Sequence, residues 1–252
     1  MERALFSASS LFANSDHNSS DEENRETNED FDERKHQFPG MELVIREFSF
    51  HQLNANLLWP GTFSFAEWLL DNKSLIEGRR ILELGSGTGA LAIFLHKSFQ
   101  VDITTSDYDD LDIEGNIAHN CQVNGVVPAL PHLKHTWGET FPVPRPDYDL
   151  IIASDILLYV KQYGNLIKTL SFLLKSFMPQ NTEAVSRCSE PNDTSELASP
   201  AFLMSWRRRI GKEDEALFFT GCEKAGLGVH HLGSRIYCIK PQETTCNEQA
   251  LN

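Results

Sequence analysis

The sequence predicts an α/β domain: a mainly parallel, Rossmann-like sheet with helices on both faces and an antiparallel hairpin at its end. Three observations predict it. From about residue 79 to 240, short β-branched runs alternate with helical stripes, the pattern of strands joined by crossover helices. Arg80-Ile81-Leu82-Glu83-Leu84-Gly85-Ser86-Gly87-Thr88-Gly89-Ala90-Leu91 reads as a buried strand, a glycine turn and the start of an apolar helix. The next strand, Val101-Asp102-Ile103-Thr104-Thr105-Ser106-Asp107, ends in a carboxylate 18 residues beyond Gly89.

The glycine turn carries the first functional signal. Gly85, Gly87 and Gly89 let the backbone turn sharply and approach a ligand where a Cβ would clash. The following helix points unpaired N–H groups at the same place. Together they predict a cradle for a nucleotide-type cofactor. A P-loop is excluded, because Ala90-Leu91 follows Gly89 where a Lys-Ser/Thr pair is required. The dinucleotide fingerprint is met only in its looser form, with Ala90 three places after Gly87. Asp107 stands close to the spacing at which an acid binds ribose, and one carboxylate can accept from both hydroxyls. Asp109, Asp110 and Asp112 read as a solvated acidic turn.

In order, residues 1–38 are rich in Ser, Asn, Asp and Glu, with few apolar residues after Phe12. They bury too little to offset chain entropy and read as a disordered acidic tail ahead of a domain over 39–241. Leu43, Ile45, Phe48 and Phe50 predict an edge strand or hairpin over 41–50. Leu57-Leu58-Trp59-Pro60-Gly61 turns into an amphipathic helix over 62–70. A helix over 111–123 stops at Asn124-Gly125. A short strand over 133–136 leads to Trp137-Gly138-Glu139, and Pro142, Pro144 and Pro146 keep the next loop extended. Residues 148–155 form a second buried strand ending in an acid. The stripe Leu166, Ile167, Leu170, Leu173, Leu174 and Phe177 predicts a helix over 163–178, ended by Pro179. Residues 180–200 read as a flexible insertion. A strand over 201–206 follows, then Arg207 to Arg209 as a solvated edge and a helix over 213–225 closed by Gly226. Strands over 227–232 and 235–239 lie close enough for a hairpin. Residues 242–252 read as a disordered C-terminal tail.

Composition narrows the partners. The net charge is −14, of which −6 sits in residues 1–40 and −8 in the rest. An acidic body is a poor fit to a phosphate backbone, which argues against nucleic acid, and it suits a basic or lysine-presenting protein surface. The five cysteines (121, 188, 222, 238, 246) show no Cys-x-x-Cys pair, which predicts reduced thiols in the cytoplasm or nucleus. His132 with His135, and His230 with His231, lack companion ligands at metal spacing, so no metal is expected. No apolar run reaches the roughly 18 residues needed to span a bilayer, so no membrane partner is expected. Residues 1–12 are mildly apolar but acids follow, unlike a transit peptide.

With these residues placed, residues 41–240 resemble the seven-β-strand protein methyltransferases of the family 16 group. That group holds many protein-lysine methyltransferases and belongs to the class I S-adenosylmethionine-dependent methyltransferases. The resemblance rests on Leu-Trp-Pro-Gly (58–61), Glu-Leu-Gly-Ser-Gly-Thr-Gly (83–89), Asp107, and the paired Asn116 and Asn120. It continues through Thr-Trp-Gly-Glu (136–139) and Ala-Ser-Asp-Ile-Leu-Leu-Tyr (153–159). It implies seven strands and S-adenosyl-L-methionine as cofactor. By the resemblance, Gly85, Ser86, Gly87 and Gly89 shape the cofactor pocket, and Glu83 fixes the glycine loop and the cofactor's amino end. Asp107 takes the ribose, Trp137 gives the adenine a stacking face, Trp59 walls the methionine side, and Ser154 joins them.

Asp155 is expected to orient the incoming amine and, secondarily, to act as a base; Tyr159 is expected to line the lysine channel. The sequence departs from the family in three places. Leu158 occupies the aromatic position after the fourth strand and Tyr159 comes one later, no glycine shortly precedes Trp59, and the insertion is long. There is no Asn-Pro-Pro-Tyr or Asp-Pro-Pro-Tyr, which argues against adenine or glutamine-amide methylation. The implied activity is protein-lysine N-methylation by a monomer. A small-molecule methyltransferase and a non-catalytic cofactor-binding scaffold are the alternatives.

Overall fold

The computed structural model describes residues 31–179, 197 and 199–242. Of the expected tails, 1–30 and 243–252 lie outside the described residues, as do 180–196 and 198 of the expected insertion.

Residues 31–38, assigned above to the acidic tail, instead form a strand. β1 (Phe31–Phe38) pairs antiparallel with β2 (Met41–Phe48) through the turn at Pro39-Gly40. Composition missed it because a strand at an edge needs apolar residues only at its ends: Phe31 packs edge-on to Phe48, with ring centroids 5.9 Å apart, and Phe38 stacks on Phe94 at 5.3 Å. The charges between them pair across the hairpin, Lys35 with Glu42 at 2.8 Å and Arg34 with Glu47 at 3.4 Å.

The other edge of β2 meets side chains in place of a strand. The Asn124 side chain accepts from the Val44 N–H at 3.0 Å and donates to the Val44 carbonyl at 2.6 Å. Asn120 accepts from the Arg46 N–H at 2.8 Å, and Asn116 donates to the Arg46 carbonyl at 3.1 Å. Asn116, Asn120 and Asn124 are four residues apart, so a helix carries them along one face. An amide offers both a donor and an acceptor, which is what a strand edge requires.

The main sheet has seven strands in the order β5-β4-β3-β6-β7-β9-β8. They are β3 (Arg80–Leu84), β4 (Asp102–Asp107), β5 (His132–Lys134), β6 (Leu150–Ser154), β7 (Ala201–Ser205), β8 (Leu227–Gly233) and β9 (Ile236–Pro241). The ladders joining β5 through β7 are parallel, and β9 runs antiparallel to β7 and β8. The second strand of the terminal hairpin therefore inserts beside β7, and its first strand forms the sheet edge.

Side chains alternate between two cores, as the period of a strand requires. Ile81, Leu150, Ile152, Ala201 and Leu203 pack beneath the hairpin, α1 (Pro60–Asp71), α2 (Ala90–Phe99) and α3 (Leu111–Val123). Leu82, Leu84, Ile151, Ala153, Phe202 and Met204 pack beneath α4 (Tyr163–Lys175) and α5 (Lys212–Lys224). Helix α4 stops three residues short of the predicted end. The Met178 N–H donates to the Pro146 carbonyl at 2.9 Å, and Pro179 disfavours a helical Met178. After β3 the chain moves outward to β4 and β5, then returns to β6 on the far side of β3. The carboxyl ends of the strands beside that reversal form a crevice, where ligands of open α/β sheets bind.

Candidate active site

The crevice holds a cavity of about 300 Å³, within the range of about 300–1,000 Å³ usual for small-molecule sites. Its walls are the loops after β3, β4, β5 and β6, together with the segment joining β2 to α1. The structure thus gathers Trp59, Glu83, Gly85, Ser86, Gly87, Asp107, Trp137, Ser154, Asp155 and Tyr159 around one cavity.

On the β3 side, Gly85 has a φ of +66°, and a Cβ there would stand 2.9 Å from the Ile156 side chain and 3.6 Å from Trp137. Only glycine fits. Glu83 is buried, and its Oε2 has no hydrogen-bond partner among the described residues. Burial pushes its carboxyl up to about 8. Ser86 turns its hydroxyl back onto the sheet, accepting from the Ser106 N–H at 3.0 Å; it lines the cavity but spends its hydrogen bonds on joining β3 to β4. Gly89 is absent from the cavity wall. It caps α2 at a φ of +75°, and a Cβ there would lie 3.1 Å from Ile117, so packing against α3 asks for a glycine there.

At the end of β4, Asp107 accepts from the Gly87 N–H and the Tyr108 N–H, each at 2.7 Å. Those donors fix the carboxylate over the glycine turn while burial holds its pKa above the ordinary range. Each oxygen keeps a lone pair for a ligand hydroxyl. Trp137 follows β5 and is half-buried. Ser154 ends β6, and its hydroxyl pairs with that of Thr62 at 2.9 Å.

Asp155 differs from its expected role. Its side chain has no solvent exposure and an Arg209 contact at 2.9 Å. Oδ2 accepts from the Gly61 N–H at 2.8 Å and from Arg209, and Oδ1 accepts from the Arg207 N–H at 3.1 Å. These donors hold Asp155 at a φ of +54°, a conformation a non-glycine residue adopts only when its surroundings enforce it. The carboxylate is a structural clamp, its charge met by Arg209 and its side chain closed to solvent. The same clamp explains the glycine of Leu-Trp-Pro-Gly: a Cβ on Gly61 would lie 2.6 Å from the Asp155 carboxyl.

The aromatic residue displaced by one position still reaches the site. Leu158 and Tyr159 both line the cavity; Tyr159 is 39% exposed and its hydroxyl accepts from the Asn54 side chain. Trp59 donates from Nε1 to the Asn54 carbonyl at 3.0 Å, and the Arg209 guanidinium lies 4.6 Å from its ring. Sequence reasoning missed Asn54, Thr62 and Arg209. The triple arginine, read as a solvated edge, is largely committed: Arg208 pairs with Glu215 and Arg209 with Asp155. The available signal was position, since these arginines directly follow a strand whose carboxyl end borders the crevice.

A family model described as lysine methyltransferase matches residues 37–224. The chain belongs to the lysine methyltransferase family. It is 26% identical over 198 residues to the protein N-terminal and lysine N-methyltransferase EFM7 of Cryptococcus neoformans, a match covering 74% of this chain and 64% of that one. Against the electron transfer flavoprotein beta subunit lysine methyltransferase of Rattus norvegicus it is 38% identical over 100 residues, covering 40% of this chain and 37% of the relative. Against the histone-arginine methyltransferase METTL23 of Xenopus laevis it is 27% identical, covering 49% and 53%. These matches span less than two thirds of each relative. Among solved structures, the Thermus thermophilus 16S rRNA N2 G1207 methyltransferase superposes with a TM-score of 0.53 at 13% identity, covering 84% of this chain and 50% of that one. The methyltransferase CcbJ from Streptomyces caelestis gives 0.50 at 11%, covering 73% and 97%. Both establish the fold as that of class I methyltransferases.

S-adenosylmethionine is the cofactor of this lysine methyltransferase family, and the residues present fit it. The orphaned Glu83 oxygen suits an ammonium group. Trp137 lines the same cavity beside Gly85 and Ile156, and its ring is of the kind that meets an adenine. Asp107 offers the paired acceptor that a ribose diol needs.

Proposed function

We propose that the protein is a protein-lysine N-methyltransferase working from this pocket. S-adenosylmethionine, when bound, supplies a methyl group on a sulfonium for in-line displacement by a neutral amine. The chain's own residues supply position, which is most of the catalysis such a displacement needs. Asp107 and Glu83 hold the two polar ends of the cofactor, and Trp137 faces its base. Trp59, Leu158 and Tyr159 wall the acceptor side. An amine with a pKa near 10.4 costs about 4 kcal/mol to deprotonate at about pH 7.4. Apolar walls lower that cost, and a free carboxylate beside the amine would raise it. With Asp155 clamped by three donors, its charge is taken up by Arg209 rather than left free to hold the amine protonated.

The unpaired Oε2 of buried Glu83 is the observation that carries the cofactor half of this reading. The names of the relatives support an amine on a protein as the acceptor. The reading extends to the cytoplasm or nucleus, on the strength of the cysteine pattern, and to a monomer.

The test is transfer from methyl-labelled S-adenosylmethionine into a cell extract, with Asp107→Ala as control. Methyl-lysine in a protein band, lost in the variant, is expected. Label found only in low-mass products would replace this reading with a small-molecule methyltransferase, and cofactor binding without transfer would favour a scaffold.

A further inference from the structure

His51 lies between β2 and α1, remote in sequence from every strand of the main sheet. Its buried ring stands edge-on to Phe48, with centroids 5.9 Å apart. Nδ1 accepts the N–H groups of Leu53 at 3.1 Å and Ala55 at 3.4 Å, and the His51 carbonyl accepts from the Asn54 N–H at 2.9 Å. A ring nitrogen that accepts is unprotonated, so the hydrogen-bond pattern assigns the proton to Nε2. Nε2 lies 3.4 Å from Asp110 Oδ2. The other Asp110 oxygen caps α3, accepting from the Asp112 N–H at 2.8 Å. One imidazole therefore winds residues 51–55 into a tight turn and ties that turn to the helix that follows Asp107.

What the turn presents gives this arrangement its consequence. Asn54 is held at a φ of +57°, a left-handed conformation that asparagine tolerates better than most residues. In that conformation its side chain meets the Tyr159 hydroxyl and its carbonyl accepts from Trp59. The neighbouring Ala55 carbonyl lies 3.5 Å from where a Cβ on Gly87 would stand. A single turn thus touches the glycine loop on the cofactor side and the two rings on the acceptor side.

We infer that His51 is a positioning residue that holds the 51–55 turn closed over the cofactor pocket and thereby sets the Asn54–Tyr159 contact at its rim. The inference rests on the cofactor reading above. With the imidazole removed, the Leu53 and Ala55 N–H groups lose their acceptor and the turn opens. An asparagine at the same place offers an oxygen, at the position of Nδ1, to those N–H groups, and is too short to reach Asp110.

The test is calorimetric titration of S-adenosylhomocysteine into wild type, His51→Ala, His51→Asn and Asp110→Asn, with unliganded Tm measured alongside. His51→Ala is expected to bind about tenfold more weakly, with a Tm within about 3 °C of wild type. His51→Asn is expected to recover most of the affinity, and Asp110→Asn, which keeps the helix cap but loses the acceptor for Nε2, to fall between. Equal affinity in wild type and His51→Ala would overturn the inference. So would equal weakness of the alanine and asparagine variants, since the ring would then only fill space. If His51→Ala fails to fold, the other two variants decide, and Asp110→Asn binding as wild type overturns the inference. Wild type that does not bind at all would remove the cofactor reading itself, a result distinct from any difference among the variants.

Discussion

Glu83 and Asp155 are both buried strand-end carboxylates, and they differ in whether the protein supplies donors. Asp155 has Gly61, Arg207 and Arg209; Glu83 has an oxygen with none among the described residues. Thermal unfolding across pH separates the two. Asp155→Asn strips Arg209 of its charge partner, and because Arg209 is partly exposed the cost is about 2 kcal/mol rather than the full penalty of a buried pair. In a domain this size that lowers Tm by about 4–8 °C. Glu83 runs the other way. Its folded pKa of about 8 lies above the unfolded value of 4.5, so the folded state holds the extra proton. The associated stability is fully present below pH 4.5 and is lost as pH rises through 8. Wild type is therefore expected to lose Tm across that window relative to Glu83→Gln; parallel curves would contradict the assignment. The sequence marked both acids and could not tell them apart, because the donors to Asp155 lie 94, 52 and 54 residues away.

At the scale of elements, the asparagines of α3 do the work of a missing strand. Asn120 also donates to the Thr88 carbonyl at 2.9 Å, so one side chain joins the β1–β2 hairpin, α3 and the glycine loop. Asn120→Ala leaves the Arg46 N–H and the Thr88 carbonyl short of a partner, a loss of about 2–3 kcal/mol. Hydrogen exchange should show the Arg46 amide losing protection while the β3 amides keep theirs; unchanged exchange at Arg46 would show that the hairpin is held by its apolar contacts instead. Helix α3 was legible to the residue, since its stripe and its Asn124-Gly125 stop are local signals. β1 was not, because its pairing with β2 and its packing on Phe94 are not properties of residues 31–38. The asparagine ladder was half-legible: Asn116 and Asn120 stood out, whereas Asn124 read only as a helix stop.

For the whole molecule, the sheet order sets the function. A reversal of direction between β5 and β6 brings four loops to one crevice, and the sequence predicted those loops because each follows a strand that leads into a glycine, an acid or a tryptophan. The β2–α1 segment, with Asn54 and His51, was legible only as Leu-Trp-Pro-Gly, since a turn wound around an imidazole has no apolar period. The central claim is that the crevice is an S-adenosylmethionine site organised by Asp107. Thermal unfolding with and without S-adenosylhomocysteine, on wild type and Asp107→Ala, tests it most directly. At about 100 times the dissociation constant the ligand should add about 2.7 kcal/mol, raising wild-type Tm by about 5–10 °C. The account predicts that shift in wild type and its loss in Asp107→Ala; no shift in wild type, or an equal shift in both proteins, would contradict it.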